Sequence, residues 1–320
     1  MLDSPATLVE LERRFSTEAA CLSALEELRW GGGFVCPRCR GSASWATARG
    51  LRVCRGCGRQ TSVIAGTIFQ GTRSRLVLWF RALWWVTSQK NGASALGLQR
   101  VLGLGSYGTA WTWLHKLRRA MVRPGRDQLS GRVEVDETFV GGVEPGQGRR
   151  HVGKKALVGV AVEVRGRAIG RIRLRRVPDS SADSLLPFVR AAAVPGSLIV
   201  TDGLPTYLQL EDAGYRHEPR VIRGSGKTAS TRLPRVHRVA ALLHRWLLGT
   251  HQGAVSREHL DYYLDEFTFR FNRRASQHRG KLFMRLLEQA VAVAPAPYKS
   301  IARGIRGRSR TGAKRPKAST

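Results

Sequence analysis

Acidic residues are scarce in this chain of 320 residues: 23 Asp and Glu stand against 54 Lys and Arg, a formal charge of +31 and a pI near 11.5. Such a deficit argues against a cationic partner and favours a polyanion, because neutralising phosphates releases their counterions and drives association. Long apolar runs are missing as well. None approaches the roughly 18 uninterrupted residues of a membrane span, and Leu76-Val77-Leu78-Trp79-Phe80 is cut by Arg81. The basic residues are spread through every segment, which disfavours an anionic membrane and leaves double-stranded DNA as the expected partner. Met1 to Glu10 carry acids and no basic-then-apolar leader, so export is not expected and the cytoplasm, at the nucleoid, is the anticipated compartment. The hydrophobic content, 42%, is ordinary for a folded protein.

Cysteine is limited to five residues, four of them in two CxxC pairs. Cys36-Pro37-Arg38-Cys39 and Cys54-Arg55-Gly56-Cys57 are separated by a spacer of fourteen residues. Four thiolates on two tight turns can close a tetrahedron around Zn2+. Two disulfides are the rival reading, disfavoured in a reducing compartment. All four positions are filled by protein, so the zinc would be structural. Ala43–Thr47 and Leu51–Val53 read as strands of a zinc ribbon over 31–70. Cys21 stands apart, at helical spacing with Ala24, Leu25 and Leu28, and reads as a small buried residue.

Residues 1–30 read as a helical segment, with Ser16 or Thr17 capping Cys21 to Trp30. Residues 71–127 read as three helices: Arg75–Thr87, a short helix capped by Ser94, and Ser106–Arg119 after Gly103-Leu104-Gly105. A short helix, a glycine-containing turn and a basic second helix fit a helix-turn-helix-like DNA-binding region. Its tryptophans read as core. Ser106, Tyr107, Lys116, Arg118 and Arg119 are the candidate DNA contacts.

The texture changes to strands from residue 128, in a unit that runs to 295. Val133–Gly142 sets an acidic pair that includes Asp136 inside an otherwise apolar strand, and Leu198-Ile199-Val200-Thr201-Asp202-Gly203 repeats the theme 66 residues later. A carboxylate among valines is costly to bury unless something offsets it. Two such aspartates in a basic protein suggest divalent-metal chemistry on a phosphate backbone, with Mg2+ or Mn2+ held by oxygen ligands. Lys154–Val164 and Ala168–Val177 continue as strands. A helix from Ser180 to Val194, the Asp202 strand, a helix over Leu204–Ala213, a strand over Tyr215–Ile222 and a helix over Pro234–Leu248 follow. The order β-β-β-α-β-α-β-α is that of the ribonuclease H-like fold, an α/β mixed sheet with helices, in which the first and fourth strands lie side by side. A further helix spans Glu258–Asn272, with Glu266, Arg270 and Arg273 at four- and three-residue spacing. The tail, 296–320, holds seven basic residues and no acid from Arg303 on, and reads as a flexible arm for DNA.

These strings resemble bacterial insertion-sequence transposases that join an N-terminal zinc ribbon to an ISXO-type DDE transposase domain. The resemblance is carried by Cys36-Pro37-Arg38-Cys39, Gly66-Thr67-Ile68-Phe69, Leu102–Tyr107, Val135–Gly142, Thr201-Asp202-Gly203 and Tyr263–Arg274. It implies cut-and-join movement of the protein's own element, a homo-oligomer on paired DNA ends, and Asp136 and Asp202 as the first two metal-binding acids. Many relatives place asparagine, then lysine two residues on, where this chain has Leu242 and His244. Leucine cannot ligate a metal. Glu266 is the first candidate for the third catalytic residue, since Glu266, Arg270 and Arg273 follow a family pattern of one acid and two arginines, and His237 is the alternative. An intrahelical salt bridge from Glu266 to Arg270 is an equally open reading, and the arginines could as well grip DNA. Two other functions stay open: a DNA-binding relic without catalysis, and a nuclease of the same fold that cuts without joining.

Overall fold

A computed structural model describes residues 3–123, 125–141, 155–221 and 229–303. The basic tail from residue 304, and Lys154 at the head of an expected strand, lie outside the described residues.

The chain opens with α1 (Leu8–Arg14) and α2 (Glu18–Trp30), and Thr17 caps α2 by accepting a hydrogen bond from the Ala20 amide. A three-stranded antiparallel ribbon follows: β1 (Ser44–Ala46), β2 (Leu51–Cys54) and β3 (Gln60–Ser62). The third strand was not expected, because Gln60-Thr61-Ser62 has no apolar alternation to announce it. Three helices come next, α3 (Leu76–Ser88), α4 (Ala95–Leu102) and α5 (Tyr107–Ala120), with Ser94 and Ser106 as side-chain caps.

The second half holds β4 (Arg132–Val140), β5 (Ala156–Arg165), β6 (Ala168–Val177), α6 (Ala182–Ala192) and β7 (Leu198–Thr201). A 3-10 turn over Pro205–Leu210 then leads to β8 (Arg216–Pro219). The chain closes with α7 (Ala229–Arg232), α8 (Pro234–His251), α9 (Leu260–Asn272), α10 (Arg279–Ala292) and α11 (Tyr298–Ala302). Two elements are shorter than their patterns suggested. The helix expected over Leu204–Ala213 is only the 3-10 turn, closed by the Tyr215 amide on the Leu210 carbonyl. The strand expected over Tyr215–Ile222 stops at Pro219, which has no amide to donate to a ladder. The cap of α6 sits at Ser181 and not at Ser180.

The five-stranded sheet has the order β6-β5-β4-β7-β8, with β4 antiparallel to β5 and parallel to β7. This is the ribonuclease H-like arrangement. One face of the sheet packs on α8 and α9 through Val158, Val160, Val236, Val239, Leu243, Leu264 and Phe267. The other packs on α6 and the 3-10 turn through Val133, Val135, Leu185, Phe188, Ile199 and Tyr207. Asn272, at the end of α9, seals the edge strand: its side-chain amide pairs with both the N–H and the carbonyl of Ile172 on β6 (2.7 and 3.2 Å).

A separate helical core is built from α1 to α5 together with α10. The unit expected over 128–295 is therefore corrected at its end. Both sheet faces are already covered, so the apolar stripe of α10 (Phe283, Leu286, Leu287, Ala290) packs beside Phe15, Phe80 and Trp84 instead. Each fully buried large side chain of that stripe contributes roughly 1.5–3 kcal/mol. Trp79 and Trp113 stack at 3.8 Å in the same core, as core tryptophans should. Gly280 opens α10 where Pro5 crosses it. A Cβ there would lie 1.9 Å from the Pro5 carbonyl oxygen, so no other residue fits.

Candidate metal centre and nucleic-acid surface

Parallel pairing of β4 with β7 matches Arg132 with Leu198, Val133 with Ile199 and Glu134 with Val200. The offset is the same 66 residues that separates Asp136 from Asp202. Continued two residues past the last pair, the register brings Asp202, just beyond the carboxyl end of β7, level with Asp136 in the middle of β4, close enough for the charge of one to act on the other. Asp202 leaves β7 through a tight turn in which the Leu204 amide donates to its Oδ1 (3.1 Å). Gly203 has φ +85°, and a Cβ there would meet Val221 at 2.9 Å. The turn needs glycine to present the acid.

Side chains alternate along β4, and the face of Glu134, Asp136 and Thr138 lies under α8. Glu134 accepts from the backbone amides of Arg235 and Val236 (2.8 and 3.0 Å) and from the Arg235 guanidinium (3.0 Å). A buried carboxylate thus caps the amino end of α8 and fixes where the helix sits. One residue on, His237 Nε2 lies 3.3 Å from Asp136 Oδ2 yet makes no hydrogen bond, although it is buried. Two turns further, His244 Nε2 meets the Thr138 hydroxyl at 3.0 Å.

Burial pushes the Asp136 carboxyl up to about 7, against the Glu137 amide bond that lowers it, and the Asp202 charge adds to the rise. Burial likewise lowers the pKa of His237, opposed by Glu134 and Asp202. Burial thus favours the neutral imidazole, the form in which a ring nitrogen can ligate a metal. Two carboxylates and one neutral nitrogen with no hydrogen-bond partner form a donor set that fits a divalent ion. Glu137, on the opposite face of β4, is also raised to about 7, mainly by burial, while the buried Tyr207 hydroxyl that donates to its Oε1 holds it down. Glu137 and Tyr207 escaped the sequence reading. The only signal was a second acid beside Asp136.

The structure does not bring Glu266 to this cluster. Its carboxylate is 1% exposed, with Oε2 2.7 Å from Arg118 Nε and Oε1 2.8 Å from Arg270 Nε. Arg118 also lies 4.0 Å over the Tyr263 ring, and Arg270 donates to the carbonyls of Gln89 and Val86 at 2.7 Å. The assignment of Glu266 as third metal ligand is therefore corrected: both its oxygens are committed to a buried ion triad that ties α9 to α5 and α3. Arg118 and Arg270 are corrected with it as DNA contacts: Arg118 is buried, and the Arg270 guanidinium is taken up by Glu266 and two backbone carbonyls. Leu242 packs against the core between sheet and helices. It lies about 140° around α8 from His237, so its loss of polarity removes nothing from the acid cluster.

The remaining candidates are divided. Ser106 accepts from the Thr109 amide (3.1 Å) as the cap of α5, and Tyr107 is exposed. Lys116 is half-buried, 5.8 Å over the Trp79 ring, and Arg119 is half-buried. Arg273 lies 4.1 Å over the Phe269 ring.

In the ribbon, the four thiol sulfurs of Cys36, Cys39, Cys54 and Cys57 all lie within 4.8 Å of one another. Cys36 and Cys57 are 3.6 Å apart, and Cys39 and Cys54 3.5 Å. A tetrahedral site with Zn–S bonds of about 2.3 Å has edges of about 3.8 Å, whereas a disulfide needs about 2.05 Å. Backbone amides of Cys39 and Arg38 hold the Cys36 thiol down to about 6, the setting of a thiolate ligand. The cluster fits structural zinc. Among the described residues no helix is long and apolar enough to cross a membrane.

Residues 128–272 match the family model described as the ISXO2-like transposase domain, and residues 16–60 that of the transposase zinc-ribbon domain. The chain is 26% identical over 280 residues to the "uncharacterized protein in transposable element ISH50" of Halobacterium salinarum, covering 81% of this chain and 92% of that one. Among solved structures it is similar to a pre-cleavage Mos1 transpososome (16% identity, 67% of this chain, 78% of that one, TM-score 0.28). It is similar as well to a Mos1 strand transfer complex (15% identity, 70% and 78%, TM-score 0.30).

Proposed function

Through residues 16–60 and 128–272 the chain belongs to the ISXO-type insertion-sequence transposases with a zinc ribbon, and we propose that it binds the ends of its own element and catalyses divalent-metal-dependent DNA strand cleavage and strand transfer. The observation that supports this most directly is the shared register of Asp136 and Asp202, with the unpartnered His237 nitrogen 3.3 Å from the first acid. In this reading Asp136, Asp202 and His237 hold the ion. A Mg2+ or Mn2+ ion held there would supply Lewis-acid activation of an attacking water or 3′-hydroxyl and charge neutralisation at the phosphate.

The other residues set the stage. Glu134 locks the start of α8, so His237 is held against β4 and not on a mobile loop. Burial raises the Asp136 carboxyl, so holding a cation there would require the loss of its proton. Tyr207 holds Glu137 on the opposite face of β4 by donating to its carboxylate. The ribbon with zinc, the exposed Tyr107 and Arg119 supply DNA contacts, and a homo-oligomer on paired ends, acting on double-stranded DNA in the cytoplasm, completes the reading. The relic reading rested on Leu242, which faces away from the acids.

The test is cleavage and joining on a duplex carrying the terminal repeat that flanks the gene, in Mg2+ or Mn2+. Wild type should give cut and joined products, and Asp136→Asn and His237→Ala should bind the duplex without cutting it. Tight end-binding with no cleavage by wild type in either metal would sink the proposal. Cutting without joining would assign a nuclease.

A further inference from the structure

Away from the acid cluster, a second concentration of charge lies where the helical core meets the sheet. A cavity of about 320 Å3 between α5, β6, α9 and α10 is lined by Arg123, Arg126, Arg171, Arg173, Arg273 and Arg285, with Asp127 as its only carboxylate among the described residues. We propose that this cavity binds a phosphate group.

Arg173 carries the argument. It is 6% exposed, and its guanidinium donates only to neutral carbonyls, those of Ile172 (2.8 Å) and Asp127. Among the described residues no carboxylate lies within ion-pair distance of it. Glu163, the acid on the neighbouring strand, is taken by Arg171 (3.2 Å) and Arg165 (3.1 Å), and Asp127 by Arg123 (3.4 Å). Burial, with Arg126 and Arg171 beside it, pulls Arg173 down to about 10, and the nearby charges of Glu163 and Asp127 offset this only in part. Arg273 is in the same position from the other wall. It donates to the Phe269 carbonyl (3.3 Å), meets no described carboxylate within ion-pair distance, and is pulled to about 10 by burial, then by Arg285 and Arg123.

A buried guanidinium without an ion-pair contact is expensive to keep, and several facing one cavity repel each other. An oxyanion relieves both costs. Phosphate is the chemical match, because planar guanidinium forks bind its oxygens in pairs. Two sources share that chemistry: a backbone phosphate of bound DNA, and free phosphate or pyrophosphate. The DNA arm of the test rests on the function proposed above, while the small-anion arm does not.

The full-length protein is melted at constant ionic strength in chloride with and without inorganic pyrophosphate. The proteins compared are wild type, Arg173→Gln, Arg285→Gln and, as a control on the opposite edge strand β8, the exposed Arg216→Gln. Pyrophosphate should raise the melting temperature of wild type and Arg216→Gln, and the half-saturating concentration should rise about tenfold in the cavity variants. Arg285→Gln guards against misfolding, since Arg285 is half-exposed with only a surface partner, Glu288. An equal response in all four proteins overturns the proposal. In parallel, binding to a duplex of arbitrary sequence is measured against salt. A slope smaller by about 1 in Arg285→Gln identifies the phosphate as that of DNA; an unchanged slope with a lost pyrophosphate response identifies a free anion. Absence of strand cleavage would leave the pyrophosphate result standing.

Discussion

Replacing Glu266 by Gln keeps the shape of the side chain and removes the one negative charge between Arg118 and Arg270. Burial alone would raise the Glu266 carboxyl, but the charges of Arg270 and Arg118 outweigh it and hold the group at about 2, below its ordinary 4.5. Each tenfold change in proton affinity is worth about 1.4 kcal/mol, so the carboxylate contributes roughly 3 kcal/mol to folding. Removing one partner of a buried ion pair costs a similar amount, about 3–5 kcal/mol. The sign follows from the depressed folded value. The contribution is complete above the unfolded pKa near 4.5 and disappears as pH falls toward 2. Urea unfolding followed by tryptophan fluorescence at pH 7 should therefore show Glu266→Gln shifted down by about 1 M, for a slope near 3 kcal/mol per M. The gap to wild type should close as the pH is lowered below 4.5. If the variant is as stable as wild type at pH 7, binds DNA normally and yet loses Mn2+-dependent cleavage, Glu266 is a metal ligand and the placement argued above is wrong.

Other outcomes follow from the same geometry. Asp136 has a raised folded pKa, so the stability it lends is present in acid and lost as pH rises through about 7. Asp136→Asn should raise the metal-free urea stability at pH 8 by roughly 2–4 kcal/mol and abolish any stabilisation by Mn2+. For wild type, calorimetric Mn2+ affinity should fall about tenfold for each step of one in pH below 7, as one proton must leave; a flat profile would remove Asp136 from the site. Gly203→Ala forces a side chain into φ +85° against Val221. It should cost about 1–2 kcal/mol and slow cleavage at least as strongly as it lowers stability, measured by single-turnover assay. Cys54→Ser should lose the one zinc per chain seen by atomic emission in wild type and leave the helical core, monitored by tryptophan fluorescence, intact.

Much of the acid cluster could be read from the chain alone, because a strand's period and the common 66-residue offset are local patterns that parallel pairing turns into contact. His237 was within reach for a similar reason, since helix α8 follows the last strand. Glu266 stayed open between a metal ligand and a salt bridge to Arg270, because an acid four residues before an arginine looks the same whether the helix faces DNA or is buried; the salt bridge is what forms. Its other partner, Arg118, is 148 residues away. The DNA-facing role given to Arg118 and Arg270 failed on the same point: burial depends on long-range packing, which a basic sequence does not disclose. The misplacement of α10 has a related cause. Its apolar stripe states that it must be covered, and only the full set of sheet-covering helices states by what.

The helical core takes its residues from both sides of the catalytic fold, α1 to α5 before it and α10 after it. During synthesis, Phe15, Phe80 and Trp84 emerge long before Phe283 exists to cover them, so this core cannot close until nearly the whole polypeptide has left the ribosome. A product truncated before α10 is thereby denied a finished amino-terminal unit. Competence is tied to completion of the message.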